Sequence, residues 1–113
     1  MNVTMFPVRT RISVERYEKM FATGVLTEDD RVELIDGDMI DMPGIGPPHS
    51  AVLARLNELL VLSAGDSAIV SPGGSVRLGD YSLPQPDLML LKRREDFYFH
   101  QRPAQSDILL LAR

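Results

Sequence analysis

The sequence predicts an α/β fold, and three observations carry that reading. Two stretches repeat apolar residues at helical spacing, and Asp36-Gly37 lies between two short strand-like runs. Two further runs, Leu88-Met89-Leu90-Leu91 and Ile108-Leu109-Leu110-Leu111, carry apolar residues without alternation. A strand that does not alternate is built to be covered on both faces, so helices are expected to lie against a sheet. A chain of 113 residues makes one domain, with a single core and little surplus.

Ser13 is a plausible N-cap, and Val14, Tyr17, Met20 and Phe21 then recur at helical spacing until Gly24, which can end a helix. The Tyr and Phe are read as core. A polar connection over residues 27–31 leads to Arg31-Val32-Glu33-Leu34-Ile35 and Met39-Ile40-Asp41-Met42, which flank Asp36-Gly37-Asp38 as a hairpin. Residues 43–48, with three prolines and two glycines, are expected to form a non-helical loop. His49 and Ser50 are then expected to open the longest helix. Its stripe is Val52, Leu53, Leu56, Leu59 and Leu60, with Arg55, Asn57 and Glu58 outward and Gly65-Asp66 as its stop. Burying such a stripe contributes about 1.5 to 3 kcal/mol per large side chain, so this helix is expected to cover a sheet. Ala68-Ile69-Val70-Ser71 and Ser75-Val76-Arg77-Leu78 are strand candidates around Pro72-Gly73-Gly74, and residues 79–82 turn the chain into Pro84-Gln85-Pro86-Asp87. Residues 92–106 are charged, aromatic and irregular, and Lys92-Arg93-Arg94-Glu95-Asp96 reads as a solvated loop. Asp107 precedes the last strand, Ile108 to Ala112.

Three residues stand out chemically. Asp87 sits at a strand mouth after Pro84 and Pro86, where a charge is costly unless paired. It either caps a turn through nearby amides or binds a metal. Glu33 is an acid embedded in an apolar strand, opposite in face to Val32 and Leu34. It is either a solvated outer-face residue or part of a site. His49, at a helix N-terminus, is either a locally packed turn residue or a neutral imidazole beside an active site.

Composition narrows the chemistry. The content, 44% hydrophobic and 25% charged, is that of an ordinary globular domain. With no cysteine there is no disulfide framework and no thiolate site, so any metal binds through oxygen or imidazole. A net charge of -4 argues against wide non-specific binding to phosphate backbones, although an acidic metal site could still act on phosphate through its cation. Met1 to Val8 lacks the pattern of a targeting segment, and no run reaches the roughly 18 apolar residues of a membrane span. The expectation is a cytoplasmic protein without membrane contact.

The acidic strand Glu33-Leu34-Ile35-Asp36-Gly37, the loop with Pro48-His49-Ser50, the long helix, Val76-Arg77-Leu78, Tyr81-Ser82, Pro84-Gln85-Pro86-Asp87-Leu88, Asp96-Phe97-Tyr98 and Asp107 to Leu111 occur in an order that resembles the Uma-type restriction endonucleases. These are a branch of the PD-(D/E)XK nuclease superfamily, and the likeness spans essentially the whole chain. The resemblance implies a restriction-endonuclease-like mixed sheet flanked by helices, with Glu33 and Asp87 converging near a divalent cation, Mg²⁺ or Mn²⁺, and His49 nearby. It implies DNA as substrate. Hard oxygen ligands suit Mg²⁺, which keeps waters that can attack a phosphodiester, and a cation between two carboxylates relieves their repulsion.

The family pattern continues, after the strand corresponding to Ile108 to Ala112, with an acidic residue and then a lysine. Here Arg113 stands at the acidic position, and Lys92 falls one strand too early to be that lysine. The resemblance therefore implies the N-terminal two-thirds of the family domain, incomplete at the C-terminus. Two functions are expected from this. One is a metal-dependent DNA endonuclease whose missing groups come from a partner chain, the isolated chain being inactive. The other is a non-catalytic remnant serving as an interaction or structural protein. In both, the last strand lacks its cover, and self-association or a partner chain is expected there.

Overall fold

The computed structural model describes residues 7–44 and 46–112. Arg113 and Met1 to Phe6, on which part of the sequence reading rests, lie outside those residues. The elements are α1 (Val14–Ala22), β1 (Val32–Ile35), β2 (Asp38–Asp41), α2 (Pro47–Ala64), β3 (Ala68–Pro72), β4 (Leu88–Lys92), a 3₁₀ turn (Gln105–Asp107) and β5 (Ile108–Ala112). The fold is α/β, as predicted, and consistent with the restriction-endonuclease-like type. One sheet pairs β1 with β2, and the other has the order β3-β4-β5. All these pairings are antiparallel, and a single parallel bridge joins Arg77 to Ala104.

Local chemistry accounts for α1 and the hairpin. The Ser13 hydroxyl accepts the Arg16 N–H at 3.2 Å, capping α1 at its first turn. Between β1 and β2, Asp36 and Gly37 both have positive φ, 47° and 82°, as a two-residue turn matching strand twist requires. Gly37 has a second reason to lack a side chain: a Cβ there would lie 2.6 Å from Cβ of Arg11. Its N–H donates to the Tyr81 carbonyl at 2.7 Å, and its carbonyl accepts the Ile12 N–H at 3.0 Å. The turn is thereby stitched to two distant segments.

Two clusters form the core. Val14, Tyr17, Leu34 and Leu83 pack together, with Ile12, Leu26 and Val32 against them. Val76, Met89 and Leu91 form the second, with Ile69, Tyr98 and Ile108. The segment before β4 runs beside β1, since the Leu83 N–H donates to the Leu34 carbonyl at 2.8 Å. Arg77 clasps α1 to the following turn, its guanidinium donating to Glu15 at 2.7 Å, Asp80 at 3.2 Å and the Gly79 carbonyl at 3.0 Å.

The structure corrects four expectations, and the first is Phe21, read as core with Tyr17 but 38% exposed. Residues 75–78 are not a strand: Val76 and Leu78 donate to Pro84 and Ser82, each at 3.0 Å, so the segment folds back on the turn it leads into. Helix α2 begins at Pro47 rather than His49, because a proline in the first turn lacks only an N–H that would have no helical partner. Its predicted stripe is also only partly covered. Leu53, Leu56 and Leu60 are half-buried against β3 and β4, together with Asn57, which was expected to face out, whereas Val52 and Leu59 are exposed. A three-stranded sheet is too narrow to cover more of the helix.

Candidate functional site

Glu33 is held by its strand. With Leu34 driven into the first core, Glu33 is nevertheless only 4% exposed, the one charged residue that is buried among those described. The solvated outer-face reading is thus overturned. A carboxylate taken out of water needs hydrogen bonds or a cation to offset the loss of hydration. One oxygen, Oε2, accepts the Gln85 N–H at 3.1 Å. Tyr17 lies in the same environment: burial first, and then the Glu33 charge, raise its hydroxyl above the usual phenol range. That hydroxyl donates to the Val32 carbonyl at 3.1 Å.

Asp87 lies at the mouth of β4, as its flanking prolines suggested. Its carbonyl closes the turn by accepting the Gly73 N–H at 3.1 Å, which leaves the carboxylate for another task. Oδ2 of that carboxylate stands 3.3 Å from Nε2 of His49. His49 occupies the first turn of α2, so the long helix delivers an imidazole to a carboxylate 38 positions away in sequence. Both side chains keep partial access to solvent.

Gln85 is the residue that sequence reasoning passed over. Its backbone N–H holds Glu33, and its side-chain Nε2 donates to the Gly73 carbonyl at 2.7 Å. Gly73 in turn holds the Asp87 carbonyl. The signal was present: Pro84 and Pro86 have no N–H, so Gln85 carries the sole backbone donor of that triplet. Through this link the Asp87 Cα lies within roughly 12 Å of the Glu33 carboxylate, since two residues span at most about 7 Å.

No group of three His, Cys, Asp or Glu side chains able to hold a metal occurs among the described residues. A cavity of about 540 Å³ is lined by Tyr17, Val32 and Gln85, the residues around Glu33, together with the charged Asp30, Arg31 and Arg102.

Residues 14–112 match the Uma2 family, described as putative restriction endonuclease. Comparison with curated proteins gives no match. Restriction-endonuclease-like families generally use divalent metals and bind DNA. No helix among the described residues is long and apolar enough to cross a membrane. The match begins at the first residue of α1 and ends at the last of β5, so every element described above falls inside it, and the chain belongs to the Uma2 family.

Proposed function

We propose that this chain is a metal-dependent endonuclease domain acting on DNA phosphodiester bonds, with Glu33 and Asp87 holding Mg²⁺ or Mn²⁺ and His49 positioning Asp87. The observation that carries this reading is the buried Glu33, bound to the same short segment that ends in Asp87. The hydrogen bond from Gln85 fixes the Glu33 carboxylate next to the segment that carries Asp87, and carboxylate oxygens are the ligands that hard divalent cations take. When bound, the cation supplies charge for the phosphoryl oxygens and a water of lowered pKa. The residues do the rest. Gln85 fixes the Glu33 carboxylate, and the imidazole of His49 holds Asp87 in place across the gap between α2 and β4.

Of the family pattern, Glu33 and Asp87 are the two acids we assign in these 113 residues, and Arg113 stands where the resemblance puts a further acid. Assayed by itself, this polypeptide is expected to leave plasmid DNA uncut, since losing one electrostatic group typically costs 10²-fold or more. A partner chain would supply the missing groups, and we place the partner contact on β5. The cytoplasm is the proposed setting. A second reading, a non-catalytic interaction protein, is favoured by the apolar side chains that β5 leaves in solvent.

Calorimetric titration with Mn²⁺ tests the site. Binding is expected in the parent chain and is expected to be lost in Glu33→Gln and in Asp87→Asn. Equal binding by all three would remove the metal site. Metal-dependent nicking of plasmid, abolished by Asp87→Ala, would show that the chain is active alone.

A further inference from the structure

The loop between β4 and the 3₁₀ turn holds the strongest feature that the carboxylate site does not absorb. Phe97 and Phe99 are 65% and 83% exposed, and His100 stands edge-on to Phe99 with ring centroids 5.0 Å apart. Phe97 and Tyr98 both have left-handed backbone, φ 52° and 61°, a conformation that bulky residues avoid unless their surroundings impose it. Tyr98 imposes it here. Its hydroxyl donates to the Lys92 carbonyl at 2.6 Å, its N–H to Asp96 at 3.2 Å, and its ring packs on the second core. With Tyr98 anchored inward, the aromatic residues on either side are turned to solvent.

The surrounding charge has the sign a nucleic acid needs. Residues 92–102 carry four bases against two acids, whereas the chain as a whole is at -4; Arg94 pairs with Asp96 at 3.3 Å and Arg102 with Glu18 at 2.9 Å, so Lys92 and Arg93 carry the charge offered beside the rings. The Arg93 guanidinium lies 5.6 Å from the Phe97 ring centre. A cavity of about 380 Å³ opens beside Phe97 and Tyr98, with Met89, Ser71, Gly74 and Arg102 among its walls. That size falls in the range of about 300 to 1,000 Å³ that takes small ligands. Gly73, which joins Gln85 to Asp87, separates two of the wall residues, Pro72 and Gly74.

We propose that the loop of residues 93–100 and this cavity bind unpaired nucleobases, stacked on Phe97 and Phe99, so that the strand offered to the carboxylate site is single or locally opened. The proposal rests on the nuclease reading for its second half. Every base has a π-face, and stacking on aromatic rings beside cations is how single strands are held without sequence preference. In a duplex those faces are already stacked, and one base can reach such a cavity only by leaving the helix.

Fluorescence anisotropy tests it, using a labelled oligothymidine of about 16 nucleotides, and a duplex of equal length, in EDTA. The single strand is expected to bind more tightly than the duplex. Phe97→Ala and Phe99→Ala are each expected to weaken single-strand binding about 5- to 100-fold while leaving circular dichroism unchanged, because both rings are exposed. The chain has no tryptophan, so Phe99→Trp gives a single, selectively excited tryptophan that should bind normally and be quenched by the oligonucleotide. Equal affinity for both forms, alanine variants without effect, or no binding at all would overturn the proposal. Self-association dependent on Phe97 or Phe99, without oligonucleotide binding, would overturn it in favour of a protein contact. Because EDTA removes metal, single-strand binding can hold while the Mn²⁺ titration fails, and the two readings fail separately.

Discussion

Strands β4 and β5 carry almost the same apolar run and have opposite fates. Leu88, Met89 and Leu91 of β4 are buried, whereas Leu109, Leu110 and Leu111 of β5 are 51%, 47% and 41% exposed. The difference lies in position. Strand β4 is central, paired on both sides, with α2 over it and Val76 and Tyr98 in the cluster with Met89 and Leu91. Among the described residues strand β5 is an edge, paired with β4 alone, and its register is irregular near Leu90 and Leu91. An apolar run thus states a demand for cover, and only the neighbouring elements decide whether it is met. An edge that presents both leucines and free backbone groups invites another chain.

The largest expected effect separates the two strands directly. Leu91→Ala should destabilise the fold by about 2 to 5 kcal/mol, as truncation of a buried leucine does. Leu110→Ala in a monomer should cost well under half of that, since much of its surface is already wet. Urea denaturation of both variants checks the ranking. If the chain assembles through β5, sedimentation at micromolar concentration will show a dimer or larger species that Leu110→Lys dissociates. A strict monomer with unchanged behaviour in Leu110→Lys would mean that the edge needs no partner.

A smaller effect sharpens the contrast between covered apolar and covered charged positions. Glu33→Ala leaves the part-buried Gln85 N–H without its acceptor, a loss of about 1 kcal/mol. Glu33→Gln keeps an acceptor and should cost less. Urea midpoints for the pair decide it, and equal loss in both would show that charge rather than the hydrogen bond holds that segment.

The smallest effect lies at the clasp between α1 and the turn after Arg77. Hydrogen bonding to Arg77 holds the Glu15 carboxyl below its ordinary value of 4.5. A depressed folded-state pKa contributes stability that is present above the unfolded value and is lost as pH falls through the folded one. Glu15→Gln should therefore lower the urea midpoint slightly at neutral pH, and the gap to the parent chain should close as pH drops below about 4. Added salt should shrink the neutral-pH gap as well, because the pair is exposed. A gap that persists unchanged into acid would assign the contact no electrostatic part.

What the sequence determined by itself has causes that lie within a few residues. Ser13 caps α1, Asp36-Gly37 turns the hairpin, and the prolines around Gln85 fix the entry to β4, because capping groups, positive φ and missing donors act locally. Only the tertiary structure decided which faces those elements cover. It took residues 75–78 out of the strands by pairing them with the turn that follows, and it left Val52 and Leu59 of α2 exposed over a narrow sheet. It buried Glu33 against an amide 52 positions on, and brought His49 to Asp87. Those outcomes depend on contacts between segments far apart in the chain, and period-two or helical spacing says which residues share a face without saying what lies against it.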